Sequence, residues 1–136
     1  MNKMTKDTIV VNVHVANIRP KYDNLKEWIS NRNHVYIGHR GVVFIDHHRF
    51  PKTQLNYWTN PFLIDRSIDP NGSNRNEVMK KYKKYITKKI IDENLYKELA
   101  KLKGKTLGCW CKPLKCHGDV LVSLIEKLND TNTGFI

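Results

Sequence analysis

The sequence predicts a small single-domain α/β fold: layered, with a central, mainly parallel short sheet and flanking helices. Three observations carry that expectation. A β-branched run near the start of the chain gives way to helical periodicity, a second apolar run ends in glycine, and a last strand-like segment leads straight into an amphipathic helical pattern. Helices lying between the first, second and final strands imply crossover connections, and so a last strand parallel to a neighbour. At 136 residues with 40% hydrophobic content, the chain has material for one modest core and no second domain.

Residues 1–7 are polar and expected to be flexible, 8–129 form the domain, and 130–136 are expected to be a flexible tail. Thr8 to Val15 is β-branched enough for a strand, with Val11, Val13 and Val15 sharing one face. Pro20 blocks continuation, and Leu25, Trp28 and Ile29 at helical spacing predict a short helix over 23–30. His34 to Gly38 reads as a second strand. Gly41 to Ile45 reads as a third, joined to the second as a hairpin through His39 and Arg40. From Asp46 to Asn74 the periodicity fails, and Pro51, Pro61, Pro70 and Gly72 punctuate an ordered loop held by Phe50, Tyr57, Trp58 and Phe62. Ser73 or Asn74 caps a helix running to about Ile91, whose apolar stripe is Val78, Tyr82, Tyr85, Ile86 and Ile90. Asp92 opens another short helix with Leu95, Leu99 and Leu102 inward, stopped by Gly104. Thr106 to Cys111 is the last strand, Lys112 to Lys115 a turn stiffened by Pro113, and Cys116 to Asn129 the last helix.

The balance of 24 Lys and Arg against 13 Asp and Glu gives a net charge of +11, which draws polyanions and makes nucleic acid the first candidate partner. A composition rich in Lys, Asn and Ile accounts for the same charge without any specific site. Lys80, Lys84 and Lys88 share one face of the lysine-rich helix and are the candidate phosphate contacts. No N-terminal run resembles a signal peptide and no apolar stretch approaches bilayer length, so the expectation is an intracellular protein with no membrane partner. The GxGxxG and GxxxxGK[ST] phosphate loops are both absent.

All three cysteines fall within Cys109-Trp110-Cys111-Lys112-Pro113-Leu114-Lys115-Cys116, directly before His117. An odd number of thiols argues against a disulfide framework. Cys109, Cys111, Cys116 and His117 form a soft donor set of the kind that holds tetrahedral zinc, the one cofactor the donors suggest, although C-x-C on a strand and an adjacent Cys-His pair are unusual ligand spacings. A second chemistry is nucleophilic: a thiol at a strand end or helix start, near Lys112, Lys115 or His117, has its pKa lowered. Cys111, His117 and Asp119 are the candidate catalytic residues on that reading. A third reading makes Cys109 and Cys111 small buried hydrophobes beside Trp110, with His117 and Asp119 capping the helix.

These residues also carry a resemblance. The strings Cys109-Trp110-Cys111-Lys112-Pro113 and Cys116-His117-Gly118-Asp119, preceded by Val35-Tyr36-Ile37-Gly38, Asn60-Pro61-Phe62 and Arg75 at the head of a Tyr-rich helix, resemble the family catalogued as domain of unknown function 4326. Its members occur in phages, bacteria and large DNA viruses. The resemblance spans roughly Ile9 to Leu128 and implies a compact domain whose motifs converge on one pocket, without assigning an activity. His39 stands where the family pattern has arginine, with Arg40 next along. Convergence would bring Asn60 and Arg75, as substrate-binding residues, to Cys109, Cys111, His117 and Asp119, a set suited to phosphate or nucleotide. Taken singly, Asn60-Pro61 is also a turn, and Arg75 a partner for Glu77 or Asp69. The functional expectation is a domain that binds or processes a nucleotide or nucleic acid at a Cys/His-lined pocket. The alternative is a non-enzymatic basic module of viral origin that docks on nucleic acid, with or without zinc.

Overall fold

In the computed structural model, which describes residues 7–62, 75–112 and 114–131, the first β-branched run forms strand β1 (Ile9–Asn12) and stops three residues before the expected Val15. The Asn12 side chain ends it. Asn12 Oδ1 accepts the His14 N–H at 2.8 Å, and His14 Nδ1 in turn accepts the Ala16 N–H at 3.2 Å, so the chain turns into helix α1 (Val15–Ile18). Val15 therefore begins a helix and does not share a strand face with Val11. Helix α2 (Leu25–Ser30) opens two residues later than expected: Asn24 Oδ1 accepts from the Glu27 N–H at 3.0 Å, and Glu27 Oε1 accepts from the Asp23 N–H at 3.3 Å.

Strand β2 (His34–Tyr36) does not form the expected hairpin with the segment after it. That segment, β3 (Val43–Ile45), pairs antiparallel with β4 (His48–Phe50), a strand inside the stretch expected to be irregular. Asp46 and His47 have φ of 52° and 68°, the two left-handed residues of a tight turn whose twist matches the strands it joins. Burial explains the choice of partner. Tyr36 and Ile37 are 3% and 0% exposed, as befits a strand covered on both faces, whereas Phe44 is 66% exposed and belongs to a peripheral ribbon.

Helix α3 (Arg75–Glu93) buries Val78, Met79, Tyr82, Ile86 and Ile90, and extends two residues beyond the expected Ile91. The expected caps Ser73 and Asn74, together with Pro70 and Gly72, lie outside the described residues, as do Asp69, Pro113, residues 1–6 and residues 132–136. Asn94, at φ 54°, separates α3 from α4 (Tyr96–Ala100), and Leu95, Leu99 and Leu102 point inward as expected. Strand β5 (Thr106–Cys109) leads through the cysteine segment to α5 (His117–Thr131). That helix takes in the first two residues of the expected tail.

The sheet has the order β1-β5-β2, with both pairs parallel: Val11 lies opposite Gly108, and Tyr36 opposite Gly108 on the other side. Alternation along β5 divides the core. Leu107 and Cys109 join Ile37, Tyr82, Ile86, Ile90, Leu121 and Leu124 beneath α3, α4 and α5. On the opposite face, Val13, Ile18, Leu25, Trp28 and Tyr36 pack under α1 and α2. Gly108 permits that second layer to approach, because a Cβ there would lie 2.6 Å from the Trp28 ring and 2.7 Å from Val13. The result is the α/β class expected, with a parallel three-stranded sheet and helices on both faces.

Candidate functional site at the carboxyl edge of the sheet

The three parallel strands end at one edge, where Asn12, Tyr36 and Cys109 stand side by side and the cysteine segment crosses above them. Strand β5 ends at Cys109, so the C-x-C pair does not lie along one strand face as the spacing suggested. Cys109 remains in the core, and Cys111 is beyond the strand and partly exposed. The Asn12 amide anchors the segment by donating to Lys112 O at 2.8 Å and Trp110 O at 3.3 Å. Trp110 Nε1 donates to Tyr36 Oη at 2.8 Å, and Tyr36 donates onward to His39 O at 2.7 Å. Burial pushes the Tyr36 hydroxyl up to about 12, so it remains a donor.

Cys109 and Cys116 meet, with Sγ to Sγ 3.2 Å and both side chains buried. The Cys116 thiol donates to Cys109, and that hydrogen bond lowers the Cys109 pKa to about 6. Burial opposes the shift, while the N–H groups of Cys111 and Lys112 and the Lys112 charge assist it. Cys116 is displaced upward, since its S–H donates to Cys109, it is buried, and charge on Cys109 opposes its own ionisation. The two thiols thus form one hydrogen-bonded pair.

Helix α5 starts on this unit. Asp119 Oδ2 accepts the Cys116 N–H at 3.1 Å while the Asp119 N–H donates to Cys116 O at 3.0 Å, one half of a capping box built on a cysteine. The other carboxylate oxygen, Asp119 Oδ1, holds Lys112 Nζ at 2.6 Å. Burial works against the Lys112 ammonium, but Asp119 and the nearby thiols outweigh it and raise its pKa. His117 is 8% exposed; its ring meets Tyr82 edge-on at 5.0 Å, and its Nε2 lies 2.8 Å from Ile37 O. A carbonyl can only accept, so Nε2 carries the proton and Nδ1 the lone pair. Burial depresses the imidazole pKa to about 4, with the nearby His39 adding to the depression.

Arg75, at the head of α3, is 7% exposed and donates from Nη1 to Lys115 O at 2.8 Å, so it reaches the cysteine segment rather than Glu77. Asn60 is 6% exposed, and its Oδ1 accepts the Phe62 N–H at 2.9 Å, a turn of the kind its neighbour Pro61 suggested. Asn60, Arg75 and His117 are the buried polar residues among those described, and all three carry sequence motifs. Hydrogen bonds tie Arg75, His117, Asp119 and the thiols to a single junction. Lys80, Lys84 and Lys88 lie away from it on the outer face of α3, where with Lys83, Thr87 and Ile91 they line a furrow of about 510 Å³.

Of the four candidate ligands, Cys109 and Cys116 are in direct contact, and His117, with its Nε2 turned to a carbonyl, keeps Nδ1 as its lone-pair donor. Among the described residues no group of three or more His, Cys, Asp or Glu surrounds a common point. The spacing of the cysteines did not reveal the contact of Cys109 with Cys116, nor the role of Asn12. The one available signal was an amide at the end of a β-branched run.

Comparison with known proteins places these features in a wider set. A family model described as "Domain of unknown function (DUF4326)" matches residues 21–127. An uncharacterized protein, R718, of Acanthamoeba polyphaga mimivirus is 38% identical over 77 residues, covering 51% of this chain and 52% of the relative. An uncharacterized 12.4 kDa protein of the nrdA-td intergenic region of Enterobacteria phage T4 is 31% identical over 62 residues, 45% of this chain and 57% of the relative. The chain thus spans about half the length of the curated relatives it matches. No solved structure matches. Among the described residues no helix is long and apolar enough to cross a membrane.

Proposed function

Because the chain belongs to the family described as domain of unknown function (DUF4326), which carries no assigned activity, we propose from its geometry that it is a nucleic-acid-binding domain. It contacts the phosphate backbone through Lys80, Lys84 and Lys88, and the Cys109-to-Asp119 segment is the junction that builds the fold behind that surface. One observation carries the reading: the α3 lysines line an open furrow in which Asp92 is the sole carboxylate, and that one is engaged by Lys88. Flexible ammonium groups along a helix suit a row of phosphates, and a net charge of +11 adds long-range attraction.

Support for a structural rather than catalytic role of the motif lies in how its polar atoms are engaged. Asp119 caps α5 and holds Lys112, Arg75 donates to Lys115 O, and His117 donates to Ile37 O. A general base needs a free lone pair within reach of a substrate proton, and His117 is neutral but buried. The test is duplex DNA binding as a function of salt, for the protein and for the Lys80→Gln/Lys84→Gln/Lys88→Gln variant. Each lost phosphate contact flattens the log–log slope by roughly 0.9. The expected loss is two to three contacts, with Lys88 weakest because Asp92 competes for it. An unchanged slope and affinity would show that this face is merely hydrated.

A further inference from the structure

The face of the sheet opposite α3, α4 and α5 carries a hollow of about 680 Å³, to which the cysteine motif contributes Lys112 alone. It runs from His34 and Thr106, at the starts of their strands, to Asn12 and Lys112 at the carboxyl edge. Topology explains why it is there. Strand β1 leads into α1 and α2 on one face, while its parallel neighbour β5 leads into α5 on the other. Adjacent parallel strands whose connections leave on opposite sides open a crevice at their carboxyl ends, the usual place for a ligand in an open α/β sheet.

The lining has two chemically distinct parts. Arg19 and Lys21 supply positive charge, the Lys112 ammonium is held by Asp119 Oδ1 at 2.6 Å, and no carboxylate is among the lining residues. Arg19 is held in place by its Nε, which donates to Asp23 O at 2.9 Å. The other part is a rigid aromatic wall. His34 stacks on Trp28 at 4.1 Å and its Nδ1 bonds Trp28 O at 2.8 Å, Tyr22 meets His34 edge-on at 5.5 Å, and Asn31 Nδ2 donates to Tyr22 Oη at 3.1 Å. A wall already ordered in this way loses little further freedom on binding. The volume lies within the range of small-ligand sites.

We propose that this hollow is a mononucleotide site, in which the base lies against Tyr22 and its aromatic neighbours and the phosphate is held by Arg19 and Lys21. The site is separate from the lysine furrow of α3 and stands whether or not that face binds nucleic acid. Asn12 and Asn17, also in the lining, offer amide groups to the sugar or the base edge.

The test is a titration of the full isotope-labelled chain, followed by NMR, with AMP, GMP, CMP and UMP, and with adenosine and inorganic phosphate as partial ligands. Expected are shifts at Asn12, Tyr22, Thr106 and the Trp28 indole with at least one mononucleotide, and binding of each partial ligand at least tenfold weaker. Arg19→Gln/Lys21→Gln, at two exposed positions that leave the core intact, should weaken the mononucleotide at least tenfold, since each charged hydrogen bond lost is worth roughly that factor. The α3 lysine variant should bind the mononucleotide as the unaltered protein does. No shift at the lining residues with any of the four at millimolar concentration overturns the proposal, as do shifts confined to α3, equal binding of adenosine and AMP, or indifference to the Arg19/Lys21 change.

Discussion

His117 shows how a residue with several chemical uses is committed to one by its surroundings. Its ring is wedged between Tyr82 and the end of β2, where Ile37 O takes the Nε2 proton and burial excludes the charged form. Asp119, on the same helix, pulls the other way, and His39 adds to the depression. Stability should follow that balance. The unfolded imidazole takes up a proton near pH 6.5, while the folded one waits until about 4. Within that window the unfolded state binds the extra proton, so stability rises with pH, and falls as the solution is acidified from 6.5 to 4. The full gap corresponds to about 3 kcal/mol. His117→Gln keeps a donor for Ile37 O but does not titrate, so its urea-unfolding free energy should change much less between those pH values. Parallel losses in the two proteins would refute this account.

At the scale of elements, β5 and its junction with α5 hold the two layers together. Gly108 sits between β1 and β2 with Trp28 against it on one side, while Leu107 and Cys109 enter the other core. A methyl group at position 108 has nowhere to go, because Trp28 and Val13 are themselves buried and cannot retreat. Gly108→Ala should therefore destabilise the domain by about 2 kcal/mol through overpacking, measured as a lower urea midpoint at unchanged m-value. A neutral result would mean that α2 can lift off the sheet without cost.

The whole molecule carries more positive charge than its ion pairs neutralise. The exposed pairs Lys88–Asp92 and Lys101–Glu98 contribute little, and a net charge of +11 on one small domain repels itself. Raising salt from about 10 mM to about 150 mM shortens the screening length from roughly 30 Å to 8 Å. The melting temperature should rise by a few degrees, equivalent to about 1 kcal/mol. A fall on adding sodium chloride would mean that specific ion pairs outweigh the net repulsion.

Local pattern was sufficient for much of this protein. β-Branched runs, the stripe of Val78, Tyr82, Ile86 and Ile90, and the strand-turn-helix order around the cysteines are properties of neighbouring residues, so the α/β class, most helices and the place of the junction were legible in the sequence. Even Arg75, Asn60 and His117 stood out before their burial was known. The partner of 43–45 was not legible, because whether it joins β2 or β4 depends on which strand is covered on both faces, and that coverage comes from α2 and α5 far away in sequence. The contact of Cys109 with Cys116, the proton on His117 Nε2 and the hold of Asn12 on Lys112 O likewise arise from groups brought together across the fold. Charge state and hydrogen-bond partner are set by burial and distance, which only the tertiary structure supplies.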